Sequence, residues 1–318
     1  MTLFVLILGR IAPIFLVMGL GFAAFSLRWI DAPFIRTANV LTYRIALPSL
    51  IFLSVLGADF THGLPLKETL AFTISIIGAT IIGYIVSAAL RLPRERRAAF
   101  VQGSIRGNFA ILAIAVFQQV LGPDSLKQAA VYLAFFIVVH NLIGIAVLSD
   151  KGGPEAERKP IIVKILGTLW TSLTNPLIIA IYLGVLVSLI RVQLPAMVLD
   201  TLGYLKQLAL PLALLGVGGS MRIYYSEGHL PLAFGATAIK LLIMPAIAVT
   251  MGILFKLPQI ALLMVAVFAG SPAAVATYSL ADGMGADRNT AGSIILVSHV
   301  LCLVTITILI ALIRGLAA

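Results

Sequence analysis

The segment Ser104-Ile105-Arg106-Gly107-Asn108-Phe109-Ala110 lies inside the apolar run 98–121. At about 1.5 Å per residue, a helix of this length would cross the roughly 30 Å hydrocarbon layer of a membrane. A guanidinium, an amide and a glycine interrupt the run. Non-helical backbone is tolerated at such depth only when protein or a watery cavity surrounds it. The segment therefore predicts a broken transmembrane helix, and an ionisable group such as Arg106 indicates a functional site there.

A second polar break, Gly270-Ser271-Pro272-Ala273, interrupts the later apolar run 259–281. Glycine lets the backbone turn, and proline removes an amide donor and disrupts a helix. Two interrupted helices at corresponding positions in two halves of a chain are typical of the binding site of a transporter. The alternative is two kinks whose polar groups are satisfied between helices.

The composition is that of an integral membrane protein. Of the 318 residues, 61% are hydrophobic and only 11% are charged, whereas about 25% are charged in soluble domains. The net charge of +10 does not predict a nucleic-acid partner, because the cations lie mainly between apolar runs, where topology explains them. The single cysteine, Cys302, predicts neither a disulfide nor a metal cluster, and no cofactor is expected.

Hydropathy predicts an all-α fold with ten transmembrane helices. We interpret residues 1–27 as a retained first span, because they lack the basic start of a cleaved signal peptide. The predicted spans are residues 3–25, 34–56, 69–90, 98–121, 129–148, 164–190, 197–220, 232–254, 259–281 and 290–313.

The ten spans form two repeats of five. A polar connector, residues 149–163, separates a first five-helix repeat (1–148) from a second (164–318). Residues related by a constant offset of 163 positions are Pro13 and Pro176, Gly21 and Gly184, Pro48 and Pro211, Gly107 and Gly270, Gly122 and Gly285, and Asp124 and Asp287. Because each repeat has an odd number of spans, the two must insert with opposite orientations, which predicts an inverted 5+5 repeat with crossed, broken helices four and nine.

Loop charges indicate the orientation in the membrane. Twelve Lys and Arg residues lie in or directly beside the odd-numbered connectors, and five lie on the opposite side, in the even-numbered connectors and after the tenth span. Positive connectors stay in the cytoplasm, so both termini are expected on the periplasmic side of a bacterial inner membrane.

In this topology each break presents a half-helix N-terminus, at 107–110 and at 272–275, whose positive end suits a carboxylate. The expected substrate-binding residues are Arg106, Gly107, Asn108, Phe109, Asn141, Gly270, Ser271, Pro272 and Ala273. Residues considered for charge or coupling are Lys240, His140, Asp282 and Tyr278.

Several of these residues have a second interpretation. Arg106 either pairs with an anionic substrate or extends to the headgroups, and Lys240 follows the same logic with a helix-end role slightly favoured. His140 is either a packing residue or a proton carrier, and Tyr278 lines the cavity or fills an interface. For Arg10 extension to the membrane surface is expected, and for His299 packing.

The chain resembles the auxin efflux carrier family. The resemblance rests on the ten-span pattern, on Arg106-Gly107-Asn108, on Lys240-Leu-Leu-Ile-Met-Pro245, and on the segment from Ser271-Pro272-Ala273-Ala274 through Tyr278-Ser279-Leu280-Ala281-Asp282 to Asp287. It implies a scaffold domain and a transport domain interleaved across both repeats, an elevator-like movement of spans three to five and eight to ten, and substrate near the crossing. The same architecture is shared with sodium/proton antiporters and bile acid symporters.

Substrates implied by the family are organic anions: auxin in plants, and malate, malonate or related carboxylates in bacteria. The family's asparagines match Asn108 and Asn141, but Gly270-Ser271 stands where plant carriers have a further asparagine. With the short connector, this difference favours a compact bacterial carrier. We therefore expect a secondary transporter of a small mono- or dicarboxylate, or of an auxin-like acid, working by alternating access and not an enzyme.

The alternatives are a sodium-coupled bile-acid-type symporter and, more remotely, a membrane-embedded enzyme. The sequence leaves open whether a proton or sodium is coupled, and whether the chain forms a homodimer.

Overall fold

A computed structural model describes residues 3–56, 64–149, 161–224 and 228–315. Residues 150–160 of the connector 149–163 lie outside these ranges. The described residues form helices and no strand, and their only β-type pairing is an isolated bridge between Gly107 and Ala273. The helices are α1 (Leu3–Ser26), α2 (Ala32–Val55), α3 (Leu66–Ala89), α4 (Arg94–Ile105), α5 (Phe109–Val120), α6 (Ser125–Ser149), α7 (Ile161–Leu173), α8 (Pro176–Leu189), α9 (Ala196–Ile223), α10 (Leu230–Leu254), α11 (Gln259–Ala269), α12 (Ala276–Gly283) and α13 (Arg288–Gly315).

All ten predicted spans are helical in the part of the chain that the structure describes. Seven of them are helices long and apolar enough to cross a membrane: α1, α2, α3, α6, α9, α10 and α13. The fourth and ninth spans are interrupted where the polar breaks predict, giving the pairs α4–α5 and α11–α12.

The sixth span differs from its prediction, because two helices replace the single helix expected over residues 164–190. α7 ends at Leu173 and α8 begins at Pro176. Asn175 caps α8, since its side-chain oxygen accepts the Leu177 amide at 2.9 Å. An asparagine cap followed by proline at the first helical position is a strong helix start, and it explains why the helix restarts here.

Three helices contain a short π-helical turn. Two of these turns, Thr42–Ala46 in α2 and Ile239–Ile243 in α10, precede the prolines Pro48 and Pro245. The third, Phe109–Ala113, forms the first turn of α5, directly after the break. Such turns redirect side chains and are frequent at functional sites, and one of them carries Lys240.

Glycines bring helices of the two predicted repeats into close contact. A Cβ on Gly218 of α9 would overlap the Met18 carbonyl of α1, and one on Gly21 of α1 would overlap the Leu215 carbonyl of α9. Likewise, a Cβ added to Gly184 of α8 would lie 3.0 Å from Cβ of Val55 in α2. The first helix of each predicted repeat therefore packs on the second helix of the other, through small residues.

Candidate functional site

The two interrupted helices cross at their breaks. The backbone amide of Asn108 donates to the Pro272 carbonyl at 2.7 Å, and the backbone amide of Ala274 donates to the Arg106 carbonyl at 2.9 Å. These two bonds flank the antiparallel bridge between Gly107 and Ala273. The extended residues of one break therefore satisfy the backbone of the other, as irregular backbone inside a membrane requires.

Most of the amides around the crossing already have protein acceptors. The Gly107 amide donates to Nε2 of His140 at 3.1 Å, and the Ala273 amide donates to Oγ of Ser298 at 3.0 Å. The first helical bond of α5 runs from the Leu112 amide to the Asn108 carbonyl. The amides of Phe109 and Ala110 precede this first turn and have no acceptor within the helix. In this conformation, the part of the expected 107–110 anion site whose amides have no recorded acceptor among the described residues is its 109–110 end.

Asn108 is buried and hydrogen-bonded to His299. Nδ1 of His299 lies 2.8 Å from the Ile295 carbonyl, which can only accept, so this nitrogen carries the proton. Nε2 of His299 is then the acceptor for the Asn108 side-chain amide, at 3.4 Å. His299 was expected only to pack, but it also fixes the orientation of the Asn108 side chain.

Ser271 and Phe109 have packing partners at the crossing. The Ser271 hydroxyl faces two carbonyls of α11, Val267 at 2.9 Å and Phe268 at 3.0 Å. The Phe109 ring contacts the rings of Phe72, His140 and Phe268. Both side chains stabilise the break here, and neither side chain offers a free hydrogen-bond donor to a ligand in this conformation.

Lys240 is fully buried at the end of α11. Its ammonium donates to the carbonyl of Ala269, the last residue of α11, and lies 3.5 Å from Sδ of Met244. It also lies 3.3 Å from where a Cβ on Gly107 would stand. A cation at a helix C-terminus is favoured by the exposed carbonyls and the helix dipole. The geometry agrees with the helix-end role favoured from the sequence.

Arg106 keeps unused hydrogen-bonding capacity at the crossing. One terminal nitrogen donates to Oδ1 of Asn141 at 3.2 Å, and Asn141 in turn donates to Oγ of Ser172 at 3.3 Å. Nε of Arg106 is buried and has no hydrogen-bond partner among the described residues. Among the described residues, no carboxylate lies within 4.0 Å of its guanidinium. The structure therefore brings the expected residues Arg106 and Asn141 into contact, and the charge of Arg106 has no carboxylate partner among the described residues.

Gln102 was missed by the sequence analysis. It is fully buried, and neither its amide nitrogen nor its amide oxygen has a partner in the part of the chain that the structure describes. It precedes Arg106 by four residues, so the two share one face of α4 and its continuation, a spacing visible in the sequence. Ser298 was also missed, and nothing in its local sequence indicates that it accepts an amide from the other break.

Three other residues considered in the sequence have their polar or aromatic contacts with residues outside the two breaks. Asp282 pairs with Arg288 at 3.3 Å on an exposed surface at the far end of α12. The Tyr278 ring stacks on Tyr224 with centroids 4.2 Å apart. Arg10 does not simply extend to the surface, because its guanidinium donates to the Val120 carbonyl at 3.2 Å and so caps α5.

Interrupted helices that cross in the interior of an apolar helical protein, with a cation at the crossing, are features of membrane transport proteins. The chain belongs to the membrane transport protein family, whose family model matches residues 6–310. It is therefore an integral membrane protein of the auxin efflux carrier type, which confirms the resemblance seen in its sequence.

One similar protein comes from Rhizobium meliloti (strain 1021) and carries the name "Putative malonate transporter". It is 24% identical over 322 residues, covering 97% of this chain and 96% of the relative.

Proposed function

We propose that this protein is a secondary transporter that carries a small organic anion across the membrane by alternating access. The observation that carries the proposal is the Arg106 guanidinium, half-buried at the crossing, with its Nε buried and unpaired and no described carboxylate in contact. A largely desolvated charge without an opposite charge beside it is unfavourable. A bound carboxylate would compensate it, and the fork of guanidinium donors matches the two carboxylate oxygens.

The substrate we propose is a mono- or dicarboxylate such as malonate or malate. The name of the Rhizobium meliloti relative supports this class, and so does the small set of polar groups around Arg106. Asn141 already contacts the guanidinium, and Asn108 is held in one orientation by His299. Both amides are placed to orient the carboxylate, and the free amides of Phe109 and Ala110 would add the attraction of a helix N-terminus.

The architecture we propose is an inverted repeat of five plus five helices in the bacterial inner membrane, with both termini periplasmic. Two observations support the repeat. Gly122 and Gly285, related by the offset of 163, both adopt left-handed backbone conformations, with φ of 89° and 68°. The reciprocal packing of α1 on α9 and of α8 on α2 is what two interlocked repeats produce. Transport would then move α3–α6 and α10–α13 against the remaining helices.

A proton is the coupling ion that the geometry of His140 favours. Its Nε2 lies 3.1 Å from the Gly107 amide and 3.3 Å from the Ile105 carbonyl. The unprotonated nitrogen accepts from Gly107, whereas the protonated one donates to Ile105. Binding a proton would therefore exchange one backbone contact for another at the crossing. Sodium coupling is the alternative, and uptake measured with and without a sodium gradient separates the two.

The test is uptake of labelled malonate into proteoliposomes by the wild type and by Arg106→Met. Methionine removes the buried charge while keeping apolar volume, a change that leaves stability unchanged or raises it. Losing a charged contact to the substrate should reduce uptake by roughly 100-fold. Arg44→Met, which removes an exposed cation of α2, is the matched control and should transport normally. Full uptake by Arg106→Met would refute the proposal.

A further inference from the structure

We propose that Gln102 is a specificity-determining residue that binds the second, protonated carboxyl group of a dicarboxylic acid, so that the transported species is the monoanion. This inference rests on the proposed transport of a carboxylate at Arg106. It further specifies which ionic form of the dicarboxylic acid the protein binds.

Gln102 has an unfilled donor and an unfilled acceptor in the same side chain. It is 0% exposed, and both Nε2 and Oε1 lack partners among the described residues. An unsatisfied buried polar group costs about 1–3 kcal/mol, and such groups are rare in native proteins. A ligand group that both donates and accepts would satisfy the two atoms together. A protonated carboxyl does so through its O–H and its carbonyl, and a dissociated carboxylate does not.

Gln102 and Arg106 converge on one place beside α6. The point where a Cβ on Gly144 would stand is 3.0 Å from Nη1 of Arg106, and 3.4 Å and 3.5 Å from the two amide atoms of Gln102. Because Gly144 has no side chain, the guanidinium and the amide both approach the backbone of α6. A short two-ended acid could therefore contact both groups at once.

The charges of this cluster favour a monoanion. Arg106 supplies the positive charge beside Gln102, whereas the Lys240 ammonium keeps its own charge and donates to the Ala269 carbonyl at the end of α11. The other titratable groups facing Arg106 are the Tyr43 phenol of α2 and His140 of α6. A dianion bound to both side chains would place its second negative charge on Gln102, which offers no cation, in a buried position. A half-protonated dicarboxylic acid places its carboxylate on Arg106 and its neutral carboxyl on Gln102, so that no carboxylate lies there without a cation.

A surface recess lies one helical turn from this cluster. It is lined by Tyr84, Arg94, Arg97, Ala98 and Val147. Ala98 lies four residues before Gln102 on α4, and Val147 lies three residues after Gly144 on α6, so each is about one turn away. The two arginines would attract anions to the recess. A small separation of α4 from α6 would open the cluster towards it.

The experiment compares three probes by calorimetric titration of the purified full chain at pH 7.5: malonate, malonamate and monomethyl malonate. Malonamate is a permanent monoanion whose amide both donates and accepts, and monomethyl malonate is a monoanion whose ester only accepts. Malonate at this pH is mainly the dianion. The wild type should bind malonamate roughly tenfold more tightly than either of the other probes. Monomethyl malonate lacks one hydrogen-bond donor, and the malonate dianion carries one additional negative charge.

The variant Gln102→Leu should bind malonamate and monomethyl malonate equally, with thermal stability unchanged or higher, because it removes two unpaired polar atoms. Arg106→Met should bind none of the probes, which separates loss of the carboxylate contact from loss of selectivity. Equal wild-type affinities for malonamate and the ester would overturn the inference, as would selectivity that persists in Gln102→Leu. A wild type that binds no probe would refute the proposed function, and this inference with it.

Discussion

The side-chain amide of Asn108 donates to Nε2 of His299, a hydrogen bond of 3.4 Å that joins the fourth predicted span to the tenth. The bond fixes Asn108 beside the crossing, where its amide can orient a carboxylate held by Arg106. We therefore expect Asn108→Ala to abolish carboxylate uptake in proteoliposomes. Its stability should fall by only about 1 kcal/mol, the value of a single side-chain hydrogen bond, as measured by thermal unfolding.

Asn39→Ala is the matched control for this variant. Asn39 lies in α2 and also makes one side-chain hydrogen bond of 3.4 Å, to Oγ of Ser220 in α9. It should lose a similar amount of stability and keep uptake. If Asn108→Ala transports as well as Asn39→Ala does, Asn108 is not part of the binding site.

The existence and position of the two breaks could be predicted from the sequence, because hydropathy, glycine and proline act locally. Arg106-Gly107-Asn108 interrupts its run as expected, and Gly270 and Pro272 end α11 as expected. The cap formed by Asn175 was readable as well, yet the sixth apolar run appeared continuous. Hydropathy averages over a window, so a single cap with a proline does not lower the signal enough to divide a span.

The partners of the polar groups at the crossing could not be predicted from the sequence. Ser271 was expected to orient a substrate, but its hydroxyl faces the carbonyls of its own preceding turn. The Gly107 and Ala273 amides, expected to be free, bind His140 and Ser298 from distant helices. These contacts depend on how helices pack in three dimensions, and no local pattern encodes them.

Gly144→Ala should lower substrate affinity without lowering stability. The added methyl would lie 3.0 Å from Nη1 of Arg106, so the guanidinium must shift away from its present position. Alanine is about 1 kcal/mol more favourable than glycine inside a helix, which offsets the local crowding. We expect the KM for malonate uptake to rise several-fold while the melting temperature stays equal or rises.

Gly83→Ala is the control for this effect. A Cβ there would meet Val101 at 3.5 Å, an ordinary packing distance. It should leave KM unchanged. An unaltered KM in Gly144→Ala as well would mean that substrate does not use the space beside Arg106.

Gly218→Ala should destabilise the protein. Its Cβ would overlap the Met18 backbone, which cannot move aside as a flexible side chain can. Overpacking of this kind costs about 1–3 kcal/mol, and thermal unfolding should detect it. Gly203 lies in the same helix, with nothing within 4 Å of its Cβ position. Gly203→Ala should therefore be neutral or stabilising, and equal melting temperatures for the two variants would contradict the close contact of α1 with α9.

Asp287 should make stability depend on pH at the start of α13. Its carboxylate accepts the Asn289 amide at 3.0 Å and the Thr290 hydroxyl at 2.9 Å, and it pairs with Arg96 at 3.4 Å. Burial alone would raise the pKa of Asp287, but the hydrogen bonds from Thr290 and Asn289, together with nearby His229, outweigh it and lower that pKa. A carboxyl whose pKa is lower in the folded state stabilises the protein above its unfolded pKa of about 3.9 and loses this contribution as the pH falls through the folded value.

Asp287→Asn should therefore unfold at a lower temperature than the wild type at pH 7. The difference in melting temperature should shrink as the pH falls below about 4, because the wild-type carboxyl then also becomes neutral. Asp124, its counterpart at the offset of 163, provides the control, since its side chain is 93% exposed and pairs with Lys127 at 3.1 Å. An exposed ion pair contributes little, so Asp124→Asn should match the wild type at every pH. If Asp287→Asn also matches it at pH 7, the carboxylate does not hold α13 to α4.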